Sequence, residues 1–226
     1  SLLFGNCTKI SEVFIYQIQK RIGSNAQITY LPYYNAWLIA SDNLSLLART
    51  QEDLELYQDE EYVFPLKKIA KKWFETIKNL SEKELNELKL EIIDHNLIGE
   101  YCENSHHQNP QPDIYFFAIV KIKNVDICLP TSISYLFFQK YRLATSKIIS
   151  TQKFQKSTVF YDELDYIYRN ISKMCFNQEE EGVVVYFTVK EFEKEETTIS
   201  LLKIINLESK IFKKIRQNAK NIKLNS

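Results

Sequence analysis

Apolar residues along the first fifty positions recur at a helical spacing and then at an alternating one. Ile10, Phe14, Ile15 and Ile18 would share one face of a helix capped by Thr8 or Ser11, running to about Arg21 and ended by Gly23-Ser24-Asn25. Ile28 to Leu31, Tyr33 to Ala40 and Leu44 to Ala48 read as strands, with Ser41-Asp42-Asn43 as a turn and Ala48-Arg49-Thr50 closing the hairpin on a cation. Gln51 to Tyr62 is acidic and reads as loop. Pro65 suits the first turn of a helix over Leu66 to Leu80, and Ser81-Glu82-Lys83-Glu84 is a capping-box pattern for another reaching about His95.

The second half reads as strands interleaved with helices. Leu97 to Glu103 is a strand carrying a carboxylate, Asn104 to Pro112 a polar loop, and Asp113 to Ile122 a strongly apolar strand. Pro130-Thr131 opens a helix to about Tyr141, Lys147 to Ser150 is a short strand, and Asp162 to Cys175 is helical. Glu179-Glu180-Glu181 then runs through Gly182 into Val183-Val184-Val185-Tyr186-Phe187. That is an acid at the mouth of a β-branched and aromatic strand, with a glycine free to turn sharply or approach a ligand closely. Lys190 to Thr198 is a charged turn, Ile199 to Ile205 a returning strand, and Leu207 to Lys223 a basic helix. The pattern implies an α+β fold of antiparallel strands with one core, a single domain over residues 1–226.

Composition narrows the classes. A chain of 226 residues with 45% hydrophobic content can bury a sizeable core. Its 29 basic and 29 acidic residues cancel, so nucleic-acid binding would need a local patch. No apolar run reaches the roughly 18 residues of a membrane helix, and no signal peptide is visible, so the expected setting is cytoplasmic or nuclear. The abrupt opening would suit a piece excised from a longer chain. Cys7, Cys102, Cys128 and Cys175 are scattered without a Cys-x-x-Cys pair, which favours reduced thiols over a zinc site or bridges. His106 and His107 near Cys102 sit in a proline-bounded loop and read as solvent-facing, so no metal site is assigned.

Candidate chemistry gathers at the strand ends. Arg49 ends a hairpin, Gly99-Glu100 lies in a strand, Glu181-Gly182 enters another, and Lys203 leads from a strand toward the basic helix. Such cations neutralise phosphates, while carboxylates accept from ribose hydroxyls or hold a hydrated divalent ion. Each has a plainer reading: Glu100 as an edge-strand carboxylate, Glu181 as a turn residue, Arg49 as a surface partner of Glu52, Asp53 or Glu55. Tyr33, Tyr34 and Trp37 read as core before they read as base-stacking rings. Lys213, Lys214 and Arg216 on the last helix are candidates for nucleic-acid contact, beside a solvated-face reading with Ile204, Leu207, Ile211 and Ile215 inward.

In order, these stretches resemble the RNA ligases of the covalent nucleotidyltransferase superfamily, which includes DNA ligases and mRNA capping enzymes. Leu97-Ile98-Gly99-Glu100-Tyr101 is similar to the family's third motif, whose Glu contacts the ribose. Asp113-Ile114-Tyr115-Phe116-Phe117-Ala118-Ile119-Val120 is similar to the aromatic strand that stacks on adenine, which points to Phe117. Glu181-Gly182-Val183-Val184 is similar to the fourth motif, whose Glu helps hold metal, and Leu201 to Lys210 resembles the fifth, normally Lys-x-Lys. The resemblance implies an antiparallel-sheet, ligase-adenylation-like fold with helices packed outside. It also implies a degenerate nucleotide pocket of Arg49, Glu100, Phe117, Glu181 and Lys203, with ATP and Mg²⁺ as ligands if the pocket survives.

Two departures stand against catalysis. The family's nucleophilic lysine lies in Lys-x-Asp-Gly, whereas this chain has Leu31-Pro32-Tyr33-Tyr34-Asn35-Ala36-Trp37-Leu38-Ile39: proline or tyrosine near the lysine, asparagine near the glycine. Nothing there supplies the amine that covalent catalysis needs. Ile205 also takes the place of the second lysine after Lys203. No catalytic residue is therefore assigned. The expected function is an RNA-ligase-like domain without adenylation activity, its partners RNA or other proteins and not membrane. The alternatives are an active ligase using another lysine, such as Lys9 or Lys20, and a nucleic-acid module built on the basic last helix.

Overall fold

The computed structural model describes residues 10–42, 44–57, 63–103, 112–123, 127–155, 169, 180–191 and 193–205. In chain order the described strands are β1 (Ile10–Arg21), β2 (Ser24–Leu31), β3 (Ala36–Ser41), β4 (Leu44–Ala48), β5 (His95–Cys102), β6 (Asp113–Lys121), β7 (Ile148–Gln155), β8 (Glu180–Glu191) and β9 (Glu196–Ile205). The described α-helices are α1 (Phe64–Ile77), α2 (Glu82–Glu91) and α3 (Thr131–Lys140). They gather into two compact units, one over Gly23–Ser146 with Thr197–Ile199, the other over the described residues that flank it. The architecture is α+β, with one sheet of order β4-β3-β2-β5-β6 and another of order β7-β1-β8-β9. The ladders of described register are antiparallel, as the strand pattern implies.

The five-stranded sheet is half-covered by helices for a reason visible in α1. Leu66, Ile69, Ala70, Trp73, Phe74 and Ile77 recur every three or four residues and are all buried. They pack with Ala26, Ile28 and Tyr30 of β2, Trp37 and Ile39 of β3, Leu97 and Tyr101 of β5, and Ile114 and Phe116 of β6. Trp73 stands edge-on to Trp37 at 5.0 Å and to Phe116 at 6.0 Å, and Phe116 stacks on Phe138 of α3 at 5.6 Å. Alternate residues of each strand supply this layer, so the intervening ones face the other side.

The helix ends follow the sequence closely. The Ser81 hydroxyl accepts from the Glu84 N–H at 3.3 Å, and the Glu84 carboxylate accepts from the Ser81 N–H at 2.8 Å, which is the capping box expected. α3 ends with Leu143 N–H on Phe138 C=O and Arg142 N–H on Gln139 C=O, a Schellman closure with Arg142 left-handed at φ 55°.

Several expectations are corrected. Residues 10–21 form strand β1, not a helix capped by Thr8 or Ser11. β1 pairs with β7 on one side and β8 on the other, and Val13, Ile15, Tyr16, Gln17, Ile18 and Lys20 are all buried. Burial of both faces erases the alternation that marks a strand, and the remaining apolar positions mimic a helical stripe. Tyr33 and Tyr34 belong to a 3-10 turn over Pro32–Tyr34 rather than to a strand, because Pro32 fixes φ and withholds an N–H from any ladder. Part of the acidic stretch, Glu52–Leu56, is 3-10 helix. α2 stops before His95, which opens β5, and β7 runs on to Gln155. Asn104 to Gln111, nearly all of the 162–175 segment and the last basic helix lie outside the described residues.

Candidate functional site

The β2–β3 connection occupies the place where a nucleophilic lysine was sought. Pro32 starts the turn, and Asn35 ends it in the left-handed region at φ 45° and ψ 47°. Asparagine is among the few non-glycine residues that tolerate that conformation. The Asn35 N–H closes on the Pro32 carbonyl at 3.1 Å, and the Tyr30 hydroxyl donates to Asn35 Oδ1 at 2.7 Å. The Lys89 ammonium of α2 lies 3.5 Å from the same oxygen and 5.2 Å from the centre of the Tyr30 ring. The turn carries two phenols and no amine.

Arg49, just past β4, reaches back to this turn. Its Nε donates to the Tyr34 carbonyl at 3.3 Å. The Asp53 carboxylate accepts from the backbone N–H of Arg49 at 2.7 Å and of Thr50 at 3.4 Å, so it fastens the turn that leads into the 3-10 helix over Glu52–Leu56. The hydroxyl of Tyr57 meanwhile donates to the Leu47 carbonyl at 2.8 Å and accepts from the Leu47 N–H at 2.9 Å. This closes part of the free edge of β4 against further strand pairing.

Glu100 and Phe117 are brought to one face of the five-stranded sheet. Glu100 pairs across with Asn25 of β2 and Tyr115 of β6. Ile98 pairs with Ala118 but Gly99 with Phe116, which leaves Phe117 as the extra residue of a β-bulge. Glu100, Tyr115 and Phe117 therefore face away from the side that carries Leu97, Tyr101, Ile114 and Phe116. On the face of Glu100, Asn96 donates to Gln27 at 3.0 Å. Gly99 itself answers to packing: a Cβ there would stand 3.0 Å from both Ile114 Cγ2 and the Tyr115 carbonyl.

Glu181 and Lys203 belong to the other unit. Glu181 is in β8, and Lys203 is exposed on β9, the edge strand, with half-buried Ile205 two residues on. Gly182 has a strong structural reason, though not the ligand approach the sequence suggested. A Cβ at Gly182 would lie 2.0 Å from the Ile204 carbonyl oxygen, inside the neighbouring strand's backbone. Lys213, Lys214 and Arg216 lie outside the described residues. Among the described residues no three His, Cys, Asp or Glu side chains converge to hold a metal ion. Nor is any described helix long and apolar enough to cross a membrane.

Two features escaped sequence reasoning. Tyr33 and Tyr34 are 90% and 52% exposed and meet edge to face at 5.0 Å, whereas Trp37 is core at 2%. The signal was available in Pro32 and Asn35, which bracket a turn and so turn the two rings outward. In the other unit, Gln17, Ser150 and Gln152 share one face through the pairs Gln17–Ser150 and Ile15–Gln152. Each holds a buried side-chain oxygen without a hydrogen-bond partner, and only the pairing register could have brought them together.

No protein-family model matches the chain, and no curated protein matches it by sequence. Among solved structures it is similar to an archaeal ATP-dependent RNA ligase (form 2), with TM-score 0.47 and 15% identity over 91% of this chain and 46% of that one. Form 1 of the archaeal ligase gives 0.44 and 15% over the same shares. A protein from Aquifex aeolicus described as an ATP-dependent DNA ligase gives 0.42 and 14% over 84% of this chain and 44% of that one. The chain spans less than half the length of each of these three structures.

Proposed function

We propose that this chain is an RNA-ligase-like nucleotidyltransferase domain that has lost lysine adenylation and works as a nucleotide- or RNA-binding module. The observation that carries this reading is the β2–β3 turn. By the sequence resemblance, proline or tyrosine falls near the nucleophile's position and Asn35 near the glycine's, and Asn35 is left-handed. A pyrrolidine ring and a phenol offer no amine to attack an α-phosphate, so the turn does not fit covalent nucleotide transfer. Ile205 in place of a second cation after Lys203 supports the same reading, because a preorganised charge on the reacting phosphate contributes several kcal/mol, about 2.7–4 for a single lost donor. Glu100 and Phe117 on one sheet face would bind the ribose and base of ATP, with Mg²⁺ entering only with the nucleotide's phosphates.

Incubation with α-labelled ATP and Mg²⁺ tests this. The denatured protein is expected to carry no label, and a stable adenylate would overturn the proposal. One observation favours a working ligase instead: Lys20 is only 8% exposed, sits on central strand β1 opposite Gly182, and donates to the Arg21 carbonyl at 3.4 Å. If the protein is labelled, peptide mapping decides whether Lys20 is the modified residue. Lys9, the other lysine considered, lies outside the described residues.

A further inference from the structure

We infer that residues 53–57 form a strap that stands in for a further strand beside β4 and keeps that edge from accepting β4 of a second copy of this chain. The inference concerns self-association and holds whether or not the domain binds a nucleotide. β4 lies at the edge of the five-stranded sheet, paired on one side with β3. Edge strands are ordinarily protected by a lysine, a proline or a bulge within the strand. β4 reads Leu-Ser-Leu-Leu-Ala, with no charge, no proline and no shift in its register with β3, and Leu44 and Leu47 are exposed. A short, neutral, apolar edge of this kind is a template for strand addition. Its protection has to come from outside the strand.

The strap supplies it. The Leu47 N–H donates to the Tyr57 hydroxyl at 2.9 Å, and that hydroxyl donates to the Leu47 carbonyl at 2.8 Å. One phenol oxygen thus serves as donor and acceptor together, as the facing residue of a neighbouring strand would. Just past the strand, the Asp53 carboxylate closes the Arg49 N–H at 2.7 Å. Backbone groups alternate in direction along an antiparallel strand, so Leu47 and Arg49 offer theirs to the same side and both contacts fall on one edge. The strap is itself anchored. Leu54, between the two contacts, is buried in the aromatic core, and Tyr57 packs against that core. Lys67 of α1 donates to the Tyr57 carbonyl at 3.0 Å.

The excluded occupant follows from β4 itself. Antiparallel addition of the strand to its own copy about a two-fold axis is isologous, so the same outward groups meet from both sides. On β4 these are the backbone groups of Ser45 and Leu47, with Arg49 beyond the strand's end. Leu44–Ala48 carries no charge to repel its copy, and pairing would cover part of the exposed Leu47. The Arg49 guanidinium is turned back to the Tyr34 carbonyl. Leu47 is the middle of the outward set, and the Tyr57 hydroxyl occupies both of its backbone groups. An edge shut at its middle has too few groups left to form a ladder.

Sedimentation equilibrium of the full chain over a range of concentrations tests this. The unmodified chain is expected to keep the monomer mass throughout. Tyr57→Phe with Asp53→Ala keeps the ring at 57 and removes both contacts, and its mass is expected to shift toward a dimer as concentration rises. Adding Ser45→Lys puts a charge on the exposed edge without touching the strap, and is expected to return that variant to monomer. In the Ser45→Lys background, where no partner strand can protect it, the Leu47 amide is expected to exchange about tenfold faster once the strap contacts are removed, the effect of one lost hydrogen bond. Circular dichroism checks that the variants fold, and Tyr57→Phe alone carries the same test if the double variant does not. A folded, faster-exchanging variant that stays monomeric would overturn the proposal. Unchanged exchange at Leu47 does so too, and so does a dimer that Ser45→Lys leaves intact, because the association then lies elsewhere. An unmodified chain that dimerises until Ser45→Lys is introduced overturns it as well, since the edge is then open despite the strap.

Discussion

The five-stranded sheet buries one face under a chain of rings, Tyr30, Trp37, Trp73, Phe116 and Phe138, whereas the four-stranded sheet closes over Ile15, Val183 and Val185 among the described residues. The second sheet also buries polar side chains on its central strand: Gln17, Gln19 and Lys20 are each at most 9% exposed. A large aromatic core tolerates few polar atoms and holds its sheet by area alone, at about 25 cal/mol per Å² of apolar surface removed from water. A small aliphatic cluster with polar neighbours has less to lose per residue. Its strands are positioned as much by backbone closeness as by side-chain volume. Stability and polar chemistry are thus divided between the two regions, and substitutions separate them.

The largest expected contrast is between Trp73→Ala and Val185→Ala. Trp73 is fully buried between two other aromatic side chains, and truncating such a residue costs about 3–5 kcal/mol. Val185 is 1% exposed, and its two lost methyl groups cost about 2 kcal/mol. Urea denaturation followed by tryptophan fluorescence for Val185→Ala and by circular dichroism for both gives the comparison. Equal losses would mean that the small cluster is packed as tightly as the aromatic one.

Glycines sharpen the same contrast in the opposite direction. At Gly182 an added Cβ meets the Ile204 carbonyl at 2.0 Å, so β9 must move away and the substitution is expected to cost about 3 kcal/mol. At Gly99 the nearest atoms are at 3.0 Å, among them a methyl group of Ile114 that can yield, and about 1 kcal/mol is expected. Melting temperatures of the two alanine variants check this. If Gly99→Ala proved the costlier, the bulge at Phe117 would be stiffer than the β8–β9 edge.

Legibility from sequence followed the same division. In the aromatic-cored unit the strands β2, β4, β5 and β6 and the helices α1 and α3 were readable from apolar spacing, and the α2 cap from Ser81 and Glu84 alone, because each element keeps one face wet. β1 was misread as helix because both of its faces are covered, a property of its partners β7 and β8 that its own residues do not state. Each candidate residue could be named from the sequence, but which of them share a sheet face could not. Phe117 shares the face of Glu100 through the Glu100–Tyr115 pairing, and the bulge beside it is likewise set by pairing with β5. Tyr33 and Tyr34 were read as core because aromatic runs usually are, when Pro32 had already excluded them from the ladder.

The smallest effect expected lies on the surface of the aromatic-cored unit, where Glu84 both caps α2 and meets Arg142 at the end of α3 at 2.9 Å. The Arg142 guanidinium, with the N–H and hydroxyl of Ser81, holds the Glu84 carboxyl down to about 2 from its ordinary 4.5. A carboxylate whose folded pKa is depressed adds stability above its unfolded pKa and loses it as pH falls through the folded one. The contribution is therefore whole above about pH 4.5 and disappears progressively toward pH 2. It is small because Arg142 is exposed and Glu84 partly so, and solvent screens the pair. Glu84→Gln keeps a side chain able to accept from the Ser81 N–H and removes the charge. Its melting temperature is expected to fall slightly below that of the unmodified chain at pH 7, with the gap closing as the pH approaches 2. A gap that stayed constant over that range would assign the contact to hydrogen-bond geometry rather than to charge. Addition of salt at pH 7 distinguishes the same two origins, since screening narrows an electrostatic gap and leaves a capping one untouched.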